Sequence, residues 1–262
     1  MTLFIGFLIP LGIVISAFLV YKVFKNPSVI DIAWGLNVLG SVVWYLTQSG
    51  QNLGAINLYF CALPIFWGLR LSMHIGFRVL TEELDGRYAE FEKKWSQEDK
   101  DYKNPDKNYL QFFMVQSLMG FVLSLPFYFN QFNPMSPNIW TITLLVFATL
   151  CLVLEALADY QLLSFKRNKT KTTKVCRTGL WAYSRHPNYF FEISFWILIS
   201  ILSVQTFWSV GFLIIPIMIS FFILNVTGIP ATEKQSLKTK GVEYQNYINE
   251  TNAIIPWPVK GK

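Results

Sequence analysis

Residues 138–165 read NIWTITLLVFATLCLVLEALADYQLLSF, and this stretch decides the fold. It is long and apolar enough to cross a bilayer, which takes about 20 mostly apolar residues as a helix. Yet it carries two carboxylates, Glu155 and Asp159, near one end. Working outward, similar blocks lie at 2–23, 29–48, 54–77, 109–130, 188–204 and 208–229. The last two are divided only by the polar break at Gln205 and Thr206. The first block has no basic residue before it and is followed by Lys22 and Lys25, so it reads as a spanning helix and not as a cleavable leader. The expectation is an all-α polytopic membrane protein of about seven transmembrane helices, one domain over residues 1–262.

Composition agrees. The chain is 53 % hydrophobic and only 15 % charged, against about 25 % charged in soluble domains. Abundant Phe, Tyr and Trp exclude a disordered chain. Cys61, Cys151 and Cys176 are too few and too scattered for a disulfide framework or a zinc site, and His74 and His186 are the only histidines.

Of the 22 Lys and Arg, seven fall in 78–108, seven in 166–187, five after residue 230 and two after the first block. Arg70 alone sits inside a block. The loops near 49–53, 131–137 and 205–207 hold none. The positive-inside rule makes the basic side cytoplasmic, with the N-terminus outside and the C-terminus inside. The net charge of +6 then needs no nucleic acid to account for it; orientation and contact with membrane lipids suffice.

Charges inside apolar blocks are costly unless they face protein or a water-filled cavity. Here they are Asp31, Arg70, His74, Glu155, Asp159 and Glu192, with Arg78 at a helix end. Trp67, Arg70, His74 and Arg78 are spaced three, four and four apart, on one helical face. Glu155, Asp159 and Lys166 share another face, and Asn188 and Glu192 a third. Ion pairs that fix the bundle, such as Arg70 with Glu155, are one reading. An inner cavity that takes a large charged cofactor is the other, and is preferred because the basic segments 78–108, 166–187 and 231–262 cap the same end. The polar run 82–107 reads as a cytoplasmic loop with a short amphipathic helix.

The segment KRNKTKTTKVCRTGLWAYSRHPNYFFE, residues 166–192, is the sharpest feature. Pro187 suits the first turn of a helix. Arg185 and His186 then stand at a helix start, where free N–H groups bind anions such as cofactor phosphates.

Gly179-Leu180-Trp181, followed by Ser184-Arg185-His186-Pro187-Asn188-Tyr189 and Glu192, resembles the C-terminal signature of the steroid 5α-reductase-like integral membrane family, and more closely its bacterial branch of unassigned function. Val29-Ile30-Asp31-Ile32-Ala33-Trp34-Gly35, Trp67-Gly68-Leu69-Arg70-Leu71 and Leu84-Asp85-Gly86-Arg87-Tyr88 are similar to that branch as well. So are Gly228-Ile229-Pro230, Glu233 and Tyr244-Gln245-Asn246-Tyr247. The resemblance covers about residues 28–257.

That resemblance implies a seven-helix bundle, here in a bacterial inner membrane, that binds NADPH from the cytoplasmic side and reduces a conjugated C=C bond of a lipophilic substrate. Carried over by position, Asp159, Asn188 and Glu192 contact the cofactor, with Arg78 and Lys166 as cationic partners. Arg70, His74, Asp85, Arg87, Tyr88, Glu155, Arg177, Arg185, His186, Tyr189 and Glu233 complete the candidate cofactor set. Selection of NADPH needs cations near the 2′-phosphate, which Lys166, Arg167, Lys169, Lys174 and Arg177 supply. No metal is expected.

The catalytic glutamate and tyrosine of the reductases fall at Asp31 and Trp67. An indole donates a hydrogen bond but no proton, so the tyrosine has no direct counterpart; Tyr45, Tyr59 and Tyr183 are the alternatives. Asp31, kept neutral by a dry pocket, would act as proton donor to the substrate carbonyl. The competing classes are an S-adenosylmethionine-dependent methyltransferase of the isoprenylcysteine or phospholipid type, which shares an Arg-His-Pro-x-Tyr, and a non-catalytic lipid-binding relative.

Overall fold

The computed structural model describes residues 1–49, 53–81, 86–98, 104–168 and 172–258, and among these it is helical with no strands. The elements are α1 (Thr2–Phe24), α2 (Val29–Gln48), α3 (Ala55–Thr81), α4 (Gly86–Glu98), α5 (Asp106–Asn130), α6 (Ile139–Arg167), α7 (Pro187–Ser203), α8 (Ile214–Phe221), α9 (Ile229–Lys240) and α10 (Val242–Glu250). Six stretches are long and apolar enough to cross a membrane: α1, α2, α3, α5, α6 and the run Trp208–Lys240; α7 is apolar but shorter. At about 1.5 Å per residue, its 17 residues reach roughly 26 Å, just short of a ~30 Å hydrocarbon core.

The final block differs from the single helix expected over 208–229. It runs as a 3₁₀ turn (Trp208–Leu213), α8, a π turn (Phe222–Val226) and, past a bend at Gly228, α9. A Cβ at Gly228 would sit 2.4 Å from the Ile223 carbonyl oxygen, so the bend requires glycine. The break before it is real: the Ser209 hydroxyl oxygen accepts from the Gln205 and Thr206 N–H groups, both at 2.9 Å, and closes the turn.

The chain forms two compact units, one of residues 1–138 with 203–210 and one of 139–202 with 211–262.

In the first unit α2 is the central helix, packed on α1, α3 and α5. Its tightest crossing is with α3. A Cβ at Gly35 would lie 2.4 Å from the Gly68 carbonyl oxygen, and one at Gly68 would lie 2.4 Å from the Gly35 oxygen. Small residues let membrane helices approach to backbone contact, and here the Ser72 hydroxyl then reaches the Ile32 carbonyl at 2.8 Å. Against α1, the Ser41 hydroxyl donates to Gly6 O (2.9 Å) and the Trp44 indole to Thr2 O (3.0 Å). Lys22 and Tyr21 at the end of α1 meet Asp106 at the start of α5, while Gln131 after α5 donates to Tyr45 O of α2 (2.9 Å). Helices α2 and α5 therefore run parallel.

The amphipathic helix expected in 82–107 exists as α4, but it is more than a solvated loop. Tyr88, Phe91 and Trp95 pack its apolar face against Tyr21, Ile30, Tyr109 and Phe113.

In the second unit α6 is the spine. The Trp181 indole donates to Ala158 O (2.9 Å) and Leu180 N–H to the Gln161 side-chain oxygen (3.0 Å). Gly179, at φ 60°, has the Gln161 amide where a side chain would stand. The Gly-Leu-Trp run is therefore a clasp onto α6.

Candidate functional site

The second unit brings most of the candidate residues together. Glu155 and Asp159, one turn apart on α6, are 2 % and 8 % exposed. The Asn188 amide, in the first turn of α7, donates to Asp159 Oδ1 at 3.1 Å. Its own carbonyl oxygen is buried and has no hydrogen-bond partner among the described residues. Glu192 follows Asn188 one turn later, half-buried, just before the fully buried Phe195. Tyr189 stacks on the His186 ring, centroids 5.4 Å apart at 10°. Lys166 and Arg167 are exposed at the end of α6.

Arg185 and His186 depart from the expected anion cradle. Their backbone N–H groups donate to Asn252 O (2.9 Å) and Ala253 O (3.0 Å). The Arg185 side chain bonds Glu233 Oε1 at 2.7 Å and the carbonyls of Ile248 and Thr251 at the end of α10. A guanidinium at exposed helix-end carbonyls completes their hydrogen bonding and meets the negative end of the helix dipole. His186 Nε2 lies 3.2 Å from the same Glu233 oxygen. Burial holds the His186 imidazole below its ordinary range, against the upward pull of the Glu233 carboxylate.

Arg177 is likewise committed: to Glu250 at 2.6 Å, to Glu243 O at 3.2 Å, and to the Tyr247 ring face at 5.2 Å. Glu243 in turn accepts from the Lys174 and Val175 N–H groups. Ser184 donates to Ile254 O at 2.7 Å, and the Tyr247 hydroxyl, buried and pushed above its usual pKa, contacts Trp181 O and Ser184 O. Arg177, Arg185, His186 and Glu233 thus form a lock for the C-terminal helices. The phosphate role expected of the two arginines competes with these partners.

In the first unit, Arg87 Nη2 pairs with Asp31 Oδ2 at 2.8 Å. The acid expected to donate a proton is instead an acceptor in an ion pair, and donation requires that pair to open. Tyr88, expected at the cofactor, is buried in the aromatic cluster of α1, α4 and α5. Trp67 is fully buried on α3, and Arg70, His74 and Arg78 descend one face of that helix, half-buried. Of the alternative tyrosines, Tyr59 and Tyr183 are exposed; Tyr45 is buried, its hydroxyl 3.4 Å from Ser124 Oγ. Fourteen residues along α2 from Asp31, it is about 21 Å away and cannot act on the same atom. Asp85 and Lys169 lie outside the described residues.

Sequence reasoning missed Asn37, fully buried at mid-length of α2, as well as Gln161 and Glu243. A glycine followed by Trp in a loop was the available signal for Gln161; Asn37 was a polar residue in an apolar block, passed over because it carries no charge. Between α1 and α2 runs an apolar groove of ≈ 700 Å³, lined by Gly12, Ala17, Ile32 and Leu36 among others, suited to a hydrocarbon chain.

The fold is that of a polytopic helical membrane protein. Residues 17–251 match the model of a family described as a protein of unknown function, DUF1295, and the chain belongs to that family. No curated protein and no solved structure matches it.

Proposed function

We propose that the chain is a membrane-embedded reductase that uses NADPH to saturate a conjugated C=C bond of a lipophilic carbonyl compound. The observation that carries this reading is the Asp159–Asn188 hydrogen bond, with Glu155 one turn before Asp159 on α6 and Glu192 one turn after Asn188 on α7. Asp159, Asn188 and Glu192 are positions at which the steroid 5α-reductase-like resemblance puts cofactor contacts.

The residues present fit the cofactor. The buried carboxylates of Glu155 and Asp159 accept from hydroxyl and amide donors, which a ribose and a carboxamide offer. The buried Asn188 oxygen accepts one more. Lys166 and Arg167 at the end of α6 offer positive charge to phosphates, and Tyr189, next to Asn188 in the chain, offers a flat ring. When bound, NADPH supplies the hydride. Asn188 orients the Asp159 carboxylate, and the Gly179-Leu180-Trp181 clasp fixes α6 for both. In the first unit, Asp31 is the assigned proton donor: Arg87 must release its carboxylate and solvent must protonate it before it can pass a proton to the substrate.

The basic helix ends face the cytoplasm in this reading, following the positive-inside rule, and the membrane is the bacterial inner membrane. The apolar groove along α1 and α2 supports a lipophilic substrate.

The test is NADPH oxidation by purified protein in nanodiscs with a panel of enone lipids. Consumption of NADPH matched by saturated product supports the proposal. Absence of both binding and oxidation across the panel defeats it, and methyl transfer from S-adenosylmethionine would move the chain to the methyltransferase class.

A further inference from the structure

The middle of the first unit holds a polar cluster that the reductase reading does not use. Asn37 on α2 is 0 % exposed, and neither its amide nitrogen nor its amide oxygen has a hydrogen-bond partner among the described residues. It packs across Gly120 of α5, where a Cβ would lie 2.6 Å from the Asn37 Cβ and 3.4 Å from its Nδ2. One turn earlier on α5, Ser117 (1 % exposed) and Gln116 present a hydroxyl and an amide oxygen, also buried and without hydrogen-bond partners among the described residues. Gln116, Ser117 and Gly120 share a helical face by their spacing. Since α2 and α5 run parallel and helical side chains lean toward their own N-terminus, the Asn37 amide and the α5 pair lean the same way.

An unsatisfied buried polar group is destabilising, and within a membrane bulk water does not offset it. The nearby Ser41 hydroxyl is taken by Gly6 O and Asn37 O, so the chain itself does not complete the amide. We infer that Asn37, with Ser117 and Gln116, is a binding site for a hydroxyl group within the first unit. A hydroxyl is the small neutral group that both donates, to the Asn37 oxygen, and accepts, from its nitrogen. A ketone or ether would satisfy only the nitrogen. A cation or anion would need countercharge: on α5 the charged side chains, Asp106 and Lys107, lie about three turns away, and Asp31 on α2, nearly two turns from Asn37, is paired with Arg87. The hydroxyl has two sources, an internal water or a lipophilic alcohol from the bilayer, and the site holds whether or not the chain is a reductase.

The experiment is side-chain NMR of protein with ¹⁵N-labelled asparagine in nanodiscs, the Asn37 NH₂ signal being assigned by its loss in Asn37→Leu. If that variant does not fold, Gly120→Ala, which crowds the amide, assigns it by displacement. A cross-peak from the Asn37 NH₂ to water that dodecanol leaves unchanged supports the site with water as guest. A shift of the NH₂ signal on adding dodecanol, absent with dodecane, supports it with a lipophilic alcohol as guest. No water contact and no alcohol response, or equal shifts with dodecanol and dodecane, overturns it.

Discussion

Arg185 Nε lies 2.7 Å from Glu233 Oε1, joining the loop before α7 to the helix after the Gly228 bend. The same guanidinium reaches the carbonyls of Ile248 and Thr251, so one side chain ties down both α9 and α10. A motif that reads as a cofactor cradle is, in the folded chain, first of all a fastening for its own C-terminal segment.

Removing one partner of a buried ion pair costs about 3–5 kcal/mol, because the other charge is left uncompensated. Arg185→Gln should therefore loosen α9 and α10, seen as faster proteolysis within 229–257, and Glu233→Gln should do the same. The double variant should lose clearly less than the sum of the two. Additive losses would show that the pair contributes no coupling.

Gly35→Ala and Gly68→Ala each drive a methyl into a backbone oxygen 2.4 Å away on the facing helix. Overpacking of this kind costs about 1–3 kcal/mol and should lower the detergent unfolding midpoint. Gly12→Ala is the control, since a Cβ there meets no atom within 4 Å. Equal midpoints in all three would contradict the α2–α3 backbone contact.

Acid should open the C-terminal fastening. The folded chain holds the His186 imidazole below its ordinary range, so the unfolded chain binds the proton more readily. The stabilisation is complete above the unfolded value, about 6.5, and is lost as pH falls from there through the lower folded value. Protection of α9 and α10 against hydrogen exchange, corrected for the intrinsic rate at each pH, should fall below about pH 6.5 in the wild type and much less in His186→Gln. An unchanged pH profile in that variant would remove His186 from the account.

The contrast between helices and site shows what a sequence displays. The 29–48 block coincides with α2 because an apolar run with no breaker is helical wherever lipid surrounds it. The run 208–240 was harder to read. Its π turn, and the bend at Gly228 that lays the chain against the Ile223 backbone, leave no mark on apolarity. Helical spacing placed Glu155 and Asp159 on one face and Asn188 on another. That the faces meet at Asp159 depends on the clasp of Gly179, Leu180 and Trp181 on Ala158 and Gln161. Arg185 and His186 were read as cofactor ligands because their competitors are backbone carbonyls at 248–253, which any side chains could carry. Asp31 and Arg87 stood out individually, but their pairing across 56 residues is a tertiary event.

The central claim is a cofactor site built on Asp159 and Asn188, and its most direct test is the unfolding midpoint of detergent-solubilised protein with NADPH, NADH or S-adenosylmethionine. At a hundredfold excess over the dissociation constant, a specific ligand adds about 2.7 kcal/mol, or roughly 5–10 °C for a chain of this size. The account predicts that rise with NADPH, a smaller one with NADH, none with S-adenosylmethionine, and its loss in Asp159→Asn and Asn188→Ala. No rise with NADPH, or an undiminished rise in both variants, would contradict it.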